Sequence, residues 1–275
     1  MKPVKKIAVL HDMCGVGKAA LTNMLPILSV QGIEPCPIPT MLLSTHTGGY
    51  GKPAINKISG EYIRSCANHY KEQKITFDMI FVGYLGSPEL VEAVQYFLDI
   101  FHGTTVVLDP IMGDHGKYYY NFDSSYGFAI KRLLPYADLI LPNLTECYLL
   151  LDKEYMLPDT KEKIFELCYS LKELGAKDMI ITSVPAGTGN KGIAILEKKQ
   201  FSLLENQEVL REFHGTGDAF DGMIIAGLLN GKSILQSVKE AHTFVCECIR
   251  ESSLYDYPER EGLMIEKTLN RLYKF

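Results

Sequence analysis

The stretch Phe213-His214-Gly215-Thr216-Gly217-Asp218-Ala219-Phe220 leads into an apolar run from Gly222 to Leu229, and its reading decides the fold. Two glycines permit a tight backbone turn, and the helical pattern that follows aims its first free N–H groups back at that turn. Such a helix start carries roughly half a positive charge and unsatisfied donors, so it forms an anion hole suited to a phosphoryl oxygen. Asp218, in the first helical turn, has two readings. It charges or caps the helix, as Asp often does, or it takes a proton from a hydroxyl that attacks phosphorus. The local string leaves both open.

Outward from that stretch, short apolar runs recur at Ile7–Leu10, Met79–Val82, Thr104–Leu108, Asp138–Leu141 and Met179–Thr182, as in strands buried on both faces. Helical patterns separate them, over residues 19–31, 59–70, 88–101, 124–134, from 144 onward, and 161–175. Two more follow the central stretch, at 234–250 and 262–273. Ser87 and Pro88 mark one helix start, and Asn143 with Glu146 marks another as a capping box. Ile33–Met41 carries Pro35, Pro37 and Pro39, which confine it to an edge. Pro185–Asn190 reads as a hairpin loop, with Gly192–Leu196 and Phe201–Leu204 as antiparallel strands. The pattern predicts one domain over 1–275, an α/β fold with three layers, α/β/α, about a mostly parallel central sheet.

Each polar string follows a strand's carboxyl end, where open α/β sheets bind ligands. His11–Lys18 resembles a phosphate loop but fails that rule twice, with Asp12 at the first glycine position and Ala19 after the lysine. Asp12 is there a polar ligand contact, or the string is a plain tight turn. Leu42–Gly51 is dense in hydroxyls and glycine; it wraps a flat heteroaromatic through His46 and Thr47, or is a surface loop. Asp109–Lys117 holds Asp109 and Asp114 among glycines. These carboxylates suit Mg²⁺, with Gly113 and Gly116 as lid hinges, or they are a turn starter and a solvated charge. Glu146 completes the capping box or reaches the same metal through water.

Composition limits the function classes. Of 275 residues, 47% are hydrophobic, enough for a sizeable core, and 28 Lys and Arg against 33 Asp and Glu give a net charge of −5. Nucleic acid is excluded as a partner for want of a basic patch. Seven dispersed cysteines fit a reducing compartment, and Cys246 and Cys248 point to different faces of a helix with no matching pair to hold zinc. The N-terminal apolar run is too short for a signal or a membrane span. The expectation is a soluble, cytoplasmic protein.

Taken together, the strings resemble the ribokinase-like superfamily and, within it, the pyridoxal and pyridoxamine kinases of vitamin B6 salvage. The carriers are Gly215-Thr216-Gly217-Asp218, Ser44-Thr45-His46-Thr47, Gly83-Tyr84, Asp109 to Asp114, Pro142-Asn143 with Glu146, and Thr182-Ser183, in register from about residue 7 to 250. His11-Asp12 stands where many members place a serine, in a loop nearer that of hydroxymethylpyrimidine kinases. The resemblance implies transfer of the γ-phosphoryl group of ATP to the 5′-hydroxymethyl of a B6 vitamer. Asp218 would be the base and the amides of Gly215, Thr216 and Gly217 the anion hole. Asp12, His46, Thr47 and Tyr84 would bind the substrate, while Asp114, Asn143, Thr182 and Ser183 would contact the nucleotide. Mg²⁺ would be held by Asp109 and Glu146. It further implies a homodimer and, in many members, a monovalent cation. The alternatives are a kinase for hydroxymethylpyrimidine or another small alcohol, and a nucleotide- or vitamer-binding protein without turnover.

Overall fold

The computed structural model describes residues 3–187, 190–205 and 211–272. Thr188 and Gly189 of the predicted hairpin loop and Tyr273 of the predicted last helix lie outside them. In chain order the elements are β1 (Lys5–Val16), α1 (Leu21–Val30), β2 (Ile33–Thr45), β3 (Ile55–Lys57), α2 (Gly60–Glu72), β4 (Met79–Val82) and α3 (Pro88–Ile100). Then come β5 (Thr105–Leu108), β6 (Gly113–Asp114), β7 (Lys117–Tyr118), α4 (Ser124–Lys131), β8 (Leu139–Ile140), α5 (Leu144–Leu151) and α6 (Lys161–Glu173). The remainder are β9 (Asp178–Ala186), β10 (Asn190–Glu197), β11 (Gln200–Glu205), α7 (Thr216–Leu229) and α8 (Ile234–Ser253). Nine strands form one large, mostly parallel sheet in the order β11-β10-β9-β8-β5-β4-β1-β2-β3, and β6 pairs with β7 apart from it. The fold is the α/β class that the alternation of apolar runs and helical patterns predicts.

Contacts divide the described chain into two compact units. The first takes residues from 1–58, 77–80 and 209–275, and the second from 59–76 and 81–208. In the first, Ile7, Ala8, Val9 and Leu10 of β1 are fully buried, as a continuous apolar run requires. β2 lies parallel to β1, with Pro35, Pro37 and Pro39 opposite Ile7, Val9 and His11. Their equal parity turns all three missing N–H groups to the side away from β1. There β2 has no partner until β3 joins antiparallel at Met41–Leu43. The edge reading therefore holds for the proline segment.

Two sequence expectations change in this unit. The segment after Leu10, read as a turn, continues β1 to Val16, pairing Met13, Cys14 and Val16 with Leu42, Leu43 and Thr45 after a register shift at His11/Met13. The start of the expected Leu42–Gly51 loop is consequently strand. The last predicted helix, over 262–273, is instead irregular chain and a turn ending in the 3-10 turn Leu269–Leu272, with another 3-10 turn, Glu259–Glu261, just before it. Gly262, at φ 78°, breaks any continuous helix there. Helix α7 is buried nearly all round, and its glycines let neighbours approach: a Cβ at Gly222 would sit 3.3 Å from Ile27 of α1.

In the second unit β5, β8 and β9 run parallel and β9, β10 and β11 antiparallel. Ser87 caps α3 by accepting the Leu90 amide, with Pro88 in the first turn, and Asn143 with Glu146 forms the predicted capping box of α5. Asp138, just before β8, accepts the Val106 amide at 2.9 Å and so fixes the β5–β8 register. No described helix is long and apolar enough to cross a membrane.

The α7–α8 packing is testable. A methyl at Gly227 would overlap the Ser237 hydroxyl and lie 2.9 Å from the Ser237 Cβ. Gly227→Ala is expected to destabilise the protein by about 1–3 kcal/mol through overpacking, read as a lower urea midpoint with an unchanged slope.

Candidate active site

In the first unit the predicted anion hole is built on Gly215. Its φ of 79° is left-handed, and a Cβ there would overlap the Lys18 carbonyl oxygen, so only glycine fits. The Asn23 side-chain amide donates to the Gly215 carbonyl at 3.0 Å. No side chain caps α7, and among the described residues beyond its own helix backbone and chain neighbours no heavy atom lies within 4 Å of where a Gly217 Cβ would stand. The first-turn amides of Thr216, Gly217 and Asp218 thus begin a helix beside open space, the arrangement that attracts an anion.

Asp218 does more than charge the helix. Its Oδ2 accepts the Ala20 amide at 2.7 Å, and its Oδ1 lies 3.1 Å from His11 Nε2. Ala20 delivers that amide from φ 56°, ψ −134°, a conformation that ordinary residues avoid. The other nitrogen of His11, Nδ1, lies 2.8 Å from Asp12 Oδ1, and His11 is 1% exposed. The Asp12 amide, 2.9 Å from Nδ1, has it as an acceptor only when the ring is neutral. Two flanking carboxylates favour the protonated ring instead. Burial opposes the charge on His11, but the bonds to Asp12 and Asp218 outweigh it and raise the imidazole to about 10. Burial likewise opposes ionisation of Asp218, and His11 outweighs it, leaving that carboxyl below its ordinary value. His11 was missed as a site residue; the signal was a histidine beside an acid directly after a buried strand.

The substrate-loop residues divide. Thr47 is exposed at the loop surface, whereas His46 is 7% exposed. His46 Nε2–H donates to the Arg260 carbonyl at 2.6 Å and Nδ1 accepts the Gly48 amide at 3.0 Å. Both nitrogens are thereby engaged, so His46 shapes the loop in place of the direct ring contact expected of it. Its ring lies 4.5 Å from that of His214, whose imidazole is lowered by burial and by His46. The segment 257–263 backs the whole arrangement. Leu263 donates to the His214 carbonyl at 2.9 Å, Lys18 Nζ to the Tyr257 hydroxyl at 2.9 Å, and a Cβ at Gly262 would overlap the Gly17 carbonyl. This clasp has no local sequence signature, because its partners lie far away in sequence, Tyr257 and Gly262 more than two hundred residues from Lys18 and Gly17.

In the second unit Glu146 is 2% exposed, with Oε1 accepting the Met112 amide at 3.1 Å and Oε2 the Asn143 amide at 2.8 Å. Burial first, and then the charge of Asp109, push its carboxyl well above the ordinary range. Two carboxylates that repel each other at a strand end suit Mg²⁺, which takes one or two from a protein and fills its shell with water and phosphate. No group of three or more His, Cys, Asp or Glu among the described residues is placed to hold a metal, so any cation here rests on that pair.

Asn143 is spent on structure: Oδ1 accepts the Glu146 amide and Nδ2 donates to the Gly113 carbonyl, each at 2.9 Å. That leaves its side chain tied to the predicted lid in place of the nucleotide contact expected of it. The segment predicted to be a lid is the β6–β7 hairpin, turned at His115 (φ 52°) and Gly116 (φ 77°). It is pinned by the Gly116 amide on Thr145 Oγ1 at 3.0 Å. Asp114 is exposed and accepts the His115 amide at 2.7 Å. Thr182 and Ser183 sit where the β9–β10 register shifts, and Ser183 is exposed at φ 60°. That bulge re-aims their side chains. Tyr84 receives a hydrogen bond from Asn121 at 2.7 Å, and its ring lies 5.4 Å from that of Phe122.

A family model for phosphomethylpyrimidine kinase matches residues 27–258, and the chain belongs to that family. A Bacteroides thetaiotaomicron structure, named provisionally as a phosphomethylpyrimidine kinase and crystallised with pyridoxal, is 34% identical. It superposes at a TM-score of 0.92 over 98% of this chain and 96% of that one. The pyridoxal kinase of Lactobacillus plantarum is 28% identical at a TM-score of 0.89, over 98% and 96%. Among curated relatives, the Haemophilus influenzae hydroxymethylpyrimidine/phosphomethylpyrimidine kinase is 28% identical over 61% of this chain and 63% of its own. The chain spans only 32% of the Arabidopsis thaliana thiamine biosynthetic bifunctional enzyme, at 30% identity. The protein is a kinase of the pyridoxal and phosphomethylpyrimidine kinase family.

The His11–Asp218 pair predicts a pH profile of stability. His11 rises from 6.5 unfolded to about 10 folded, so its contribution is complete below about pH 6.5 and is lost as pH climbs toward 10. Asp218 is lowered, so its contribution is present above the ordinary carboxylate range and is lost as pH falls through the folded value. The urea midpoint of the wild type is expected to decline between pH 7 and 10 more steeply than that of His11→Gln, which lacks the titrating ring.

Proposed function

We propose that the protein phosphorylates the 5′-hydroxymethyl group of pyridoxal, pyridoxamine or pyridoxine with ATP. The observation that carries this reading is the 34% identity, along nearly the whole chain, to a structure crystallised with pyridoxal. The loop Ser44-Thr45-His46-Thr47 supports it, with a hydroxyl at Thr47 free to address a ring's polar edge and His46 holding the loop. A second reading, phosphorylation of hydroxymethylpyrimidine, is favoured by the family model and by the Haemophilus relative. Both acceptors are flat heteroaromatic alcohols, and one chemistry serves both.

In that chemistry Asp218 takes the proton of the attacking hydroxyl as the oxygen bonds to phosphorus. The amides of Gly215, Thr216 and Gly217 hold the transferring phosphoryl, whose charge the helix start stabilises. Asp12 and Tyr84 help to orient the acceptor. Thr182, Ser183 and Asp114 contact the nucleotide, and the hairpin anchored by Asn143 and Thr145 shields the reaction from water. Asp109, directly, and Glu146, through water, would hold Mg²⁺. The ion would neutralise the charge of the triphosphate.

ADP release with MgATP and, separately, pyridoxal, pyridoxamine, pyridoxine, hydroxymethylpyrimidine and ribose tests the assignment. Turnover with the B6 vitamers is expected. Turnover with hydroxymethylpyrimidine alone would transfer the reading to the second acceptor, and tight binding without turnover anywhere would make the protein a binder. Asp218→Asn is expected to lower kcat by about two to four orders of magnitude with KM for both substrates little changed. Near-full turnover in that variant would remove Asp218 from the role of base.

A further inference from the structure

His11 is almost wholly buried, and both ring nitrogens end on carboxylates, Nδ1 on Asp12 at 2.8 Å and Nε2 on Asp218 at 3.1 Å. An imidazole in a core needs partners, but one backbone carbonyl and one water would serve. Two carboxylates on one ring are a different matter. Without a positive charge between them, Asp12 and Asp218 would repel each other. With the ring protonated, the three groups together carry a single negative charge.

We propose that His11 is a positioning residue for the base: its two N–H groups join Asp12 and Asp218 in one line and hold the Asp218 carboxylate in a single orientation, still ionised. The inference rests on the reading of Asp218 as the base. Ala20 clamps the second oxygen at 2.7 Å, so the carboxylate is fixed from both sides, and only its remaining lone pairs are left for the acceptor's hydroxyl. The proton balance is simple. The hydroxyl O–H breaks as its oxygen bonds to phosphorus, the bond from phosphorus to the departing ADP oxygen breaks, and the proton moves to Asp218. The line passes from a charge of minus one to zero while the ring keeps both protons, and Asp218 then releases its proton to solvent. A carboxylate of lowered basicity suffices, because a loose phosphoryl transition state needs the hydroxyl proton only late.

The other titratable groups that face the line do not supply the charge that His11 does. Cys14 on β1 points its thiol at Asp12 Oδ2, 3.4 Å away, and burial with the two acids pushes it up, so it stays a neutral thiol. His46, beyond β2, acts on Asp218 only as the weakest of the influences on it, and its own nitrogens are engaged by Arg260 and Gly48.

Two substitutions separate the two bonds. The amide of His11→Gln reaches the place of Nε2 and restores the link to Asp218, whereas that of His11→Asn reaches only the place of Nδ1 and restores the link to Asp12. The expected result is a kcat lowered about 100-fold in His11→Asn and no more than about 10-fold in His11→Gln, with KM for MgATP unchanged in both. The wild-type kcat should also fall on the alkaline side as the ring loses its proton, and His11→Gln should lack that limb. Equal losses in the two variants, or full activity in both, would reduce His11 to a core residue. Nitrogen NMR of histidine-labelled wild-type protein, with His11 identified by its loss in His11→Gln, needs neither turnover nor the folding of His11→Asn. A ring doubly protonated at pH 8 that becomes neutral in Asp218→Asn supports the charged link, and a neutral ring in the wild type overturns it. Should the wild type turn over none of the five acceptors, the base reading fails on the ADP assay, while the NMR result still decides whether His11 carries the charge.

Discussion

The close approach of Gly215 to the carbonyl of Lys18 is the constraint on which the first unit's chemistry depends. A side chain at Gly215 would overlap that oxygen, and the left-handed φ closes the position to most other residues in any case. The approach brings the start of α7 against the end of the β1 extension, within reach of two donors. Asn23, fully buried, gives its amide to the Gly215 carbonyl, and Ala20 gives its backbone N–H to Asp218. Spreading the two segments by the width of a methyl group would lengthen both bonds at once. The strained backbone at Ala20 is tolerable because its neighbours hold it from several sides.

The second unit uses a capping box to the same end. In most helices Asn and Glu at these positions satisfy two orphan amides and nothing more. Here the Glu146 carboxylate also accepts the Met112 amide, and the Asn143 side chain also reaches the Gly113 carbonyl. One helix terminus thus anchors two successive residues where the path from β5 reaches the hairpin. Burying Glu146 beside Asp109 is unfavourable by itself, as the raised carboxyl records. Such tension is common where charge is held ready for a ligand.

Much of this was legible in the residues. The apolar runs at Ile7–Leu10 and Met79–Val82 announced strands buried on both faces, and Asn143 with Glu146 announced a helix start that the structure reproduces. Gly215-Thr216-Gly217-Asp218 announced a helix start whose first free N–H groups face a turn. What escaped depends on distant partners. The extension of β1 to Val16 exists because β2 continues alongside to Thr45, and the string His11–Lys18, with its two glycines, gave no hint of that. The helix expected from Gly262 does not form, because Gly262 must pass close to Gly17 at a left-handed φ. His46 looked like a ligand contact since nothing nearby in sequence foretold the Arg260 carbonyl. His11 went unread because its meaning lies in Asp218, 207 positions later.

The division of the chain between the two units carries a consequence for biosynthesis. The second unit is drawn almost wholly from residues 59–208, a nearly uninterrupted span that can close while the nascent chain is still growing. The first unit joins residues before 58 to residues after 209, so β1 emerges early and waits for α7, α8 and the clasp around Gly262. Throughout that interval α1, which packs on β1 and β2, leaves exposed the apolar surface that α7 later covers. Translation beyond Leu263 is the event that supplies the partner of the His214 carbonyl, just before α7. A ribosome stalled before that point holds a folded second unit and an adhesive, unfinished first one, the kind of species that chaperones recognise.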